Sequence, residues 1–383
     1  MHGTNKIRKQ IIYGKEIKMK VLFVVKNLRL SNGVSSFIMN YYRELIKKKD
    51  MSFDFLIVSD VGSPYYDEIR KNGGNIFIMP SLKHPIKLIN YLKNLFKNNK
   101  YDVLHSNVFN SCFPIAYYAK KYGVKVRILH SHATSNGDSL IKRIRNYPFQ
   151  LLGLKYSNYY FACSKLAGEK IFKKKNFFVV NNAIDLSKFK YSEKTRIKIR
   201  KDNNIHEDTI VIGMVGRITI QKNPYFILKI VEELKKQNKN FILWWFGTGD
   251  MDKEIINYAK RMKLDDKIIF WGSQNNIQNY YNAMDCFILP SFYEGLPVVG
   301  IEAQSMGLKC YFSNKITNEV SLNKYTEFLS IDDSNLWADR IKECTSIERN
   351  EILKNSKLSN YSIESLSKVL YNEYKKCVES VNI

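Results

Sequence analysis

The sequence predicts an α/β protein of two doubly wound, mostly parallel sheets. Short apolar runs alternate with amphipathic stretches of helical period along most of the 383 residues. That length allows two or three domains, each with a core of its own. The polar segment 187–208 separates one series of runs from a second and reads as the connection between them.

In the first series the strand candidates are 21–25, 53–58, 75–79, 102–105, 126–129, 159–163 and 177–180. Helical patterns such as 34–48 and 86–96 lie between them. In the second series the candidates are 209–216, 241–250, 267–272 and 286–289. Near the end, Ile363, Leu366, Leu370 and Tyr374 define one apolar helix face. Ligands in such sheets sit beyond the carboxyl ends of the strands, so the loops there carry the search for a site.

Composition narrows the class. Hydrophobic residues make up 45% and aromatics 13%, which is globular rather than disordered. The net charge of +25 is spread along the chain, so it permits an anionic partner without naming one. No nucleic-acid motif accompanies it, and no nucleic-acid partner is expected. Six cysteines form no CxxC pair and no metal-ligand spacing with the six histidines, which fits a reduced, cytoplasmic setting. The sequence holds no apolar run of 18 residues and no signal-peptide core, so it is expected neither to span a membrane nor to be secreted. Residues 1–18 form a basic tail without periodicity, and Met1 and Met19 are alternative starts.

The most informative stretch is 285–310, DCFILPSFYEGLPVVGIEAQSMGLKC. A buried strand runs into the loop SFYEGLP, and a helix follows with Pro297 suited to its first position and Gly307 to its end. Free backbone N–H groups of Gly295, Leu296 and Val298 at such a helix start would suit an anion. Glu294 lies in the loop and Glu302 among Val298, Val299, Ile301 and Ala303, where a carboxylate needs a partner. Sugar or ribose hydroxyls would supply one; a core Arg or Lys for Glu302 is the alternative.

Upstream, TIVIGMVGRITIQKNP places Gly216, Arg217 and Lys222 between a strand end and a helix, with Asn223 as cap and Pro224 in its first turn. Two cations there suit a diphosphate. After the fifth strand of the first series comes HSHATSNGD, with His132 in a polar loop, whereas His105 and His130 at strand ends read as structural. Asn32-Gly33 makes a turn before the first helix. Asp250 and Asp252 have Asp-x-Asp spacing, but a helix start explains them better, and no metal is predicted. Segment 139–156 combines Lys142, Arg143 and Arg145 with apolar residues. It reads either as a solvated helix face or as a surface for an anionic membrane.

The spacing of Glu294 and Glu302 with the wording EGLPVVGIEAQSMGL, the GR…K pair, HSH, and NNAID at 181–185 resemble family 4 glycosyltransferases of the GT-B fold. The likeness covers roughly 19–380, departing from the family at Ala183, where glycine is usual, and at the lone Gly33, where paired glycines are commoner. It implies two Rossmann-like domains facing a cleft: an acceptor-side domain 19–186, a donor domain 187–361, and a final helix 362–383 crossing back to the first. It also implies a retaining, metal-independent transfer from a nucleotide diphosphate sugar, UDP-linked by expectation. The acceptor would be a lipid-linked saccharide in capsule or exopolysaccharide assembly, met at the cytoplasmic face of the membrane.

By that resemblance Glu302 holds the ribose and Glu294 and His132 orient the sugar. Arg217 and Lys222, with Gly216, Gly295 and Leu296, hold the phosphates. Ile277 touches the base, and Gly33 faces the donor across the cleft. No cofactor is implied beyond the donor itself. A nucleotide-sugar epimerase on the same fold and a non-catalytic polyanion-binding protein are the alternative readings.

Overall fold

The computed structural model describes residues 18–30, 33–109, 111–132, 140–346, 348–354 and 356–381. The expectations for residues 1–17, Asn32 and 133–138, and for the side chains of Lys142 and Arg143, lie outside what it describes.

Two parallel sheets carry the chain. The first contains β1 (Met19–Val25), β2 (Met51–Ile57), β3 (Ile76–Ile78), β4 (Val103–Ser106), β5 (Val126–Ser131), β6 (Tyr159–Ala162) and β7 (Phe178–Val179). Their spatial order is β3-β2-β1-β4-β5-β6-β7. In the second are β8 (Ile210–Val215), β9 (Phe241–Phe246), β10 (Ile268–Gly272), β11 (Cys286–Leu289), β12 (Lys309–Ser313) and β13 (Glu327–Leu329), in the order β10-β9-β8-β11-β12-β13. Strands covered by helices on both faces must be apolar almost continuously. In β1, for example, Val21, Phe23 and Val25 pack with Phe37 and Tyr41 of the helix Gly33–Leu45, while Leu22 and Val24 join the cluster on the opposite face with Leu92 and Ile115.

Strand order reverses beside the first strand of each sheet, where β1 pairs with β4 and β8 with β11. Loops leaving those neighbours in opposite directions open a crevice at the strand ends. The final helix, Ile363–Ser380, lies on the first domain, burying Leu370, Tyr374 and Cys377 against it. Tyr371 donates to Asp50 at 2.5 Å and Lys375 pairs with the same carboxylate at 3.3 Å. The two chain crossings between the domains run side by side, joined by Ile184 N–H to Tyr361 O and Ile363 N–H to Ile184 O, both 3.0 Å.

Three local expectations change. Within 187–208, residues Glu193–Asp202 form a helix that belongs to the second domain. Arg196 and Arg200 reach Asp285 at 2.6 and 3.1 Å and bond carbonyls at the end of the helix Ile277–Ala283, a partnership invisible from local polarity. Pro297 occupies the N-cap of the helix Val298–Ser305, one position before the expected one. Asn223 stands at the N-cap of the helix Pro224–Lys236 with φ of 55° and makes no side-chain cap, since the preceding turn of 3-10 helix sets its backbone. At the other end of the helix Val298–Ser305, Gly307 has the left-handed φ of +70° that glycine tolerates best.

Candidate functional site

Two contiguous cavities, of about 110 and 260 Å³, lie at the switch-point crevice between the domains. Both touch Gly33, Gly216, Val298 and Val299, and together they reach the scale of a small-ligand site.

The smaller cavity is lined by Glu302 and Ile277, with Phe246, Gly247, Ser273 and Gln274. An aromatic cluster backs it: Phe246 stacks on Trp271 at 5.8 Å, and Tyr280 packs on both at 5.0 Å. Glu302 projects from the helix Val298–Ser305, and the Tyr281 hydroxyl donates to its Oε2 at 3.1 Å. Burial pushes the carboxyl up to about 7, and the Tyr281 bond offsets this in part. A core cation does not serve as its partner among the described ion pairs. The carboxylate therefore keeps hydrogen-bonding capacity facing the cavity.

The larger cavity brings together His132, Arg217, Lys222, Glu294, Gly295 and Leu296, with Asn182 and Gln221. Lys222 Nζ sits 2.5 Å from Glu294 Oε1, with both side chains mostly buried. Gly216 makes room for this, because a Cβ there would come 2.9 Å from Lys222 Cε. Arg217 is exposed at the cavity wall. The turn carrying it packs tightly on the loop after β9: a Cβ on Gly247 would meet Gly216 O at 2.4 Å, and one on Gly249 would meet Ile218 O at 2.0 Å. Asp252 accepts from Gly249 N–H at 2.7 Å in the first turn of its helix, which suits the helix-start reading of the Asp250/Asp252 pair.

His132 follows β5 directly. Its Nε2 is 2.7 Å from Asn107 Oδ1, its ring stacks on His130 at 4.1 Å, and Phe37 meets it edge-on at 4.8 Å. Burial holds the imidazole down at about 3, so it is a neutral hydrogen-bonding group across the physiological range. Behind it, His130 Nδ1 lies 2.9 Å from His105 Nε2, and His105 Nδ1 lies 2.5 Å from the Tyr374 hydroxyl of the final helix.

In the loop before the helix Val298–Ser305, Leu296 lines the larger cavity while only 3% exposed, and its carbonyl accepts from Asn182 Nδ2. Asn107, Ser164, Gln221 and Tyr281 are polar groups no motif pointed to. Isolated Asn, Gln and Ser at strand ends carry no spacing signal; only the sheet order gathers them.

The chain is similar to known proteins along nearly its whole length. Residues 31–188 match the family described as Glycosyltransferase Family 4, and residues 195–364 that described as Glycosyl transferases group 1. EpsF of Bacillus subtilis, named as a glycosyltransferase, is 32% identical over 343 residues, covering 86% of this chain and 88% of its own. This chain belongs to glycosyltransferase family 4. A second relative, the UDP-Gal:alpha-D-GlcNAc-diphosphoundecaprenol alpha-1,3-galactosyltransferase of Escherichia coli, is 26% identical, over 72% of this chain and 76% of its own. The capsular polysaccharide biosynthesis glycosyltransferase CapH of Staphylococcus aureus is 26% identical, over 79% and 85%. Among solved structures, Anabaena HepE in complex with UDP-glucose superposes with a TM-score of 0.78 at 16% identity, over 94% of this chain and all of that one. At that identity the likeness is one of fold, and the fold is GT-B. The chain is thus a family 4 glycosyltransferase related to enzymes of capsule and polysaccharide biosynthesis.

Proposed function

We propose that this family 4 enzyme transfers a sugar from a UDP-sugar, with retention of configuration, to a hydroxyl of a lipid-linked saccharide. One observation carries the reading: a buried carboxylate beside an aromatic-backed cavity, and two cations beside a second cavity, converge opposite a neutral histidine of the other domain. Glu302 takes the ribose hydroxyls, and the narrow cavity by Ile277 and Gln274 takes the pyrimidine. The diphosphate displaces Glu294 from Lys222 and gains Arg217, and these two cations stabilise the charge that develops as the bond from C1 to the phosphate oxygen breaks. Glu294, once released, and His132 bind sugar hydroxyls. The acceptor oxygen bonds C1 on the face the phosphate leaves, and its proton passes to the departing phosphate oxygen. Two cations in place suffice for the leaving diphosphate, so the transfer needs no divalent metal. E. coli and Campylobacter jejuni relatives are named for undecaprenol-linked acceptors, which supports a lipid-linked acceptor here.

No helix among the described residues is long and apolar enough to cross a membrane. The helix Leu140–Tyr156 exposes Ile144 at 66%, Leu151, Tyr147 and Phe149 beside Arg145, an apolar and basic face suited to anionic lipid at the cytoplasmic leaflet. Flotation with phosphatidylglycerol vesicles should recover the wild type and not an Ile144→Asp/Phe149→Asp variant. Equal recovery of both would remove this surface from the proposal.

The donor reading is tested by thermal shift with UDP, ADP, GDP and TDP, with and without magnesium. Ligand bound to the native state raises its stability by mass action. A metal-independent shift with UDP is expected. A UDP shift that requires magnesium overturns the metal-independent step, and the absence of any nucleotide shift overturns the donor site.

A further inference from the structure

The loop that carries Glu294 is held from both sides of the cleft. Its carboxylate is tied to Lys222 in its own domain, while its backbone is tied to the other. Ser164 Oγ donates to Gly295 O at 3.1 Å, and Asn182 Nδ2 donates to Leu296 O. Both side chains are buried, and Asn182 Oδ1 has no partner among the described residues. The approach is too close for any side chain: a Cβ on Gly295 would fall 2.5 Å from His132 O and 2.8 Å from Cys163 Sγ. The loop backbone therefore rests directly on the His132 carbonyl and on the Cys163 and Ser164 side chains.

A second contact from the second domain acts on the segment that carries Cys163 and Ser164. Ser164 caps the helix Lys165–Phe172 by accepting from Ala167 N–H at 3.1 Å. The two amides that follow the cap, Lys165 and Leu166, donate to the Glu319 carboxylate of the second domain at 3.2 and 3.3 Å. An anion at a helix N-terminus satisfies groups the helix itself leaves unpaired. Glu319 is itself fixed, since Thr317 Oγ1 bonds its Oε1 at 3.2 Å and the Tyr361 hydroxyl bonds its carbonyl at 2.8 Å. Tyr361 belongs to the second chain crossing between the domains.

We infer that Ser164 and Glu319 are positioning residues that form an interdomain clamp, seating the Glu294 loop against His132 only when the two domains close. This rests on the donor-site reading above. The clamp places the two groups that face the sugar, Glu294 from one domain and His132 from the other, at a fixed separation. Nucleotide binding does not need it, because Glu302, Gln274 and Ile277 line one cavity and Arg217 and Lys222 the other, and neither clamp residue lines either. Closure thus acts on the reacting end of the donor while leaving the nucleotide end unchanged.

The test uses Ser164→Gly, Glu319→Gln and Ser164→Thr in the full chain. Glycine is nearly as good a helix cap as serine, so Ser164→Gly removes the bond to Gly295 while sparing the helix. Three quantities are read: UDP affinity, the change in radius of gyration on adding UDP, and the rate of UDP release from UDP-glucose, UDP-galactose and UDP-N-acetylglucosamine. Loss of one hydrogen bond made in the reacting geometry predicts a fall in kcat of roughly five- to tenfold. Ser164→Gly and Glu319→Gln are expected to bind UDP within about twofold of wild type, to compact less, and to show that fall, with Ser164→Thr recovering most of the rate. Wild-type kcat and compaction in both variants, or a parallel loss of UDP affinity and kcat, overturns the clamp. A wild-type chain that fails to bind UDP overturns the donor-site reading first, and the coupling with it.

Discussion

Glu302 gives the sharpest quantitative prediction. Its carboxyl ionises near 7 in the folded chain against an ordinary 4.5, because burial beside Val298 and Val299 disfavours the charge. At 1.36 kcal/mol per pH unit, holding it ionised costs about 3 kcal/mol. The sign follows from which state binds the proton. The folded value is raised, so the burden is absent below pH 4.5, grows between 4.5 and 7, and is complete above 7. Glutamine mimics the neutral acid. Glu302→Gln should match wild-type stability at pH 4 and exceed it above pH 7 by up to about 3 kcal/mol, a gain of several degrees in Tm. The gain in stability has a functional cost, because ribose hydroxyls bond best to the carboxylate. UDP affinity of the wild type should weaken up to tenfold per unit as the pH falls from 7 toward 5, and that slope should vanish in Glu302→Gln. The terminal phosphate of UDP titrates near pH 6 in both proteins, so calorimetric profiles are compared as a difference. Parallel Tm curves across pH 4 to 8, or identical affinity profiles, would refute the reasoning.

Three further outcomes are expected. Lys222→Met removes a charge-assisted contact to the diphosphate, lowering UDP affinity by roughly ten- to a hundredfold; uridine, which has no phosphate, should bind both proteins equally, and unchanged UDP affinity would sink the assignment. Gly295→Ala forces a Cβ against His132 O, so the chain should lose about 1–3 kcal/mol of stability and most of its turnover while still binding UDP, as denaturant titration and calorimetry would register. His132 is neutral far above its value of about 3, so kcat should show no pH limb from it between 5 and 9; a limb lost in His132→Gln would contradict the neutral role.

The element pattern was largely legible because parallel sheets are buried on both faces. Apolar runs such as VLFVV and FDFLIV can hardly be anything but inner strands, and β1 and β2 lie over those runs. Boundaries failed where a residue's role depended on distant partners. The polar 187–208 looked like a linker because the sequence does not show that Asp285 and the helix end at Ala283 await Arg196 and Arg200.

The candidate site divides in the same way. Chain order and local wording determined the cations at 217 and 222, the carboxylates at 294 and 302, and the histidine at 132, since each belongs to a strand-loop-helix unit whose parts are contiguous. Tertiary structure alone decided what those groups do to each other. It paired Lys222 with Glu294 and brought Asn107, Ser164 and Asn182 to the cleft. Local sequence can specify which strand ends bear polar side chains. Which ends face one another is set by strand order and by how two independently cored domains meet, a matter of long-range packing that no local spacing encodes.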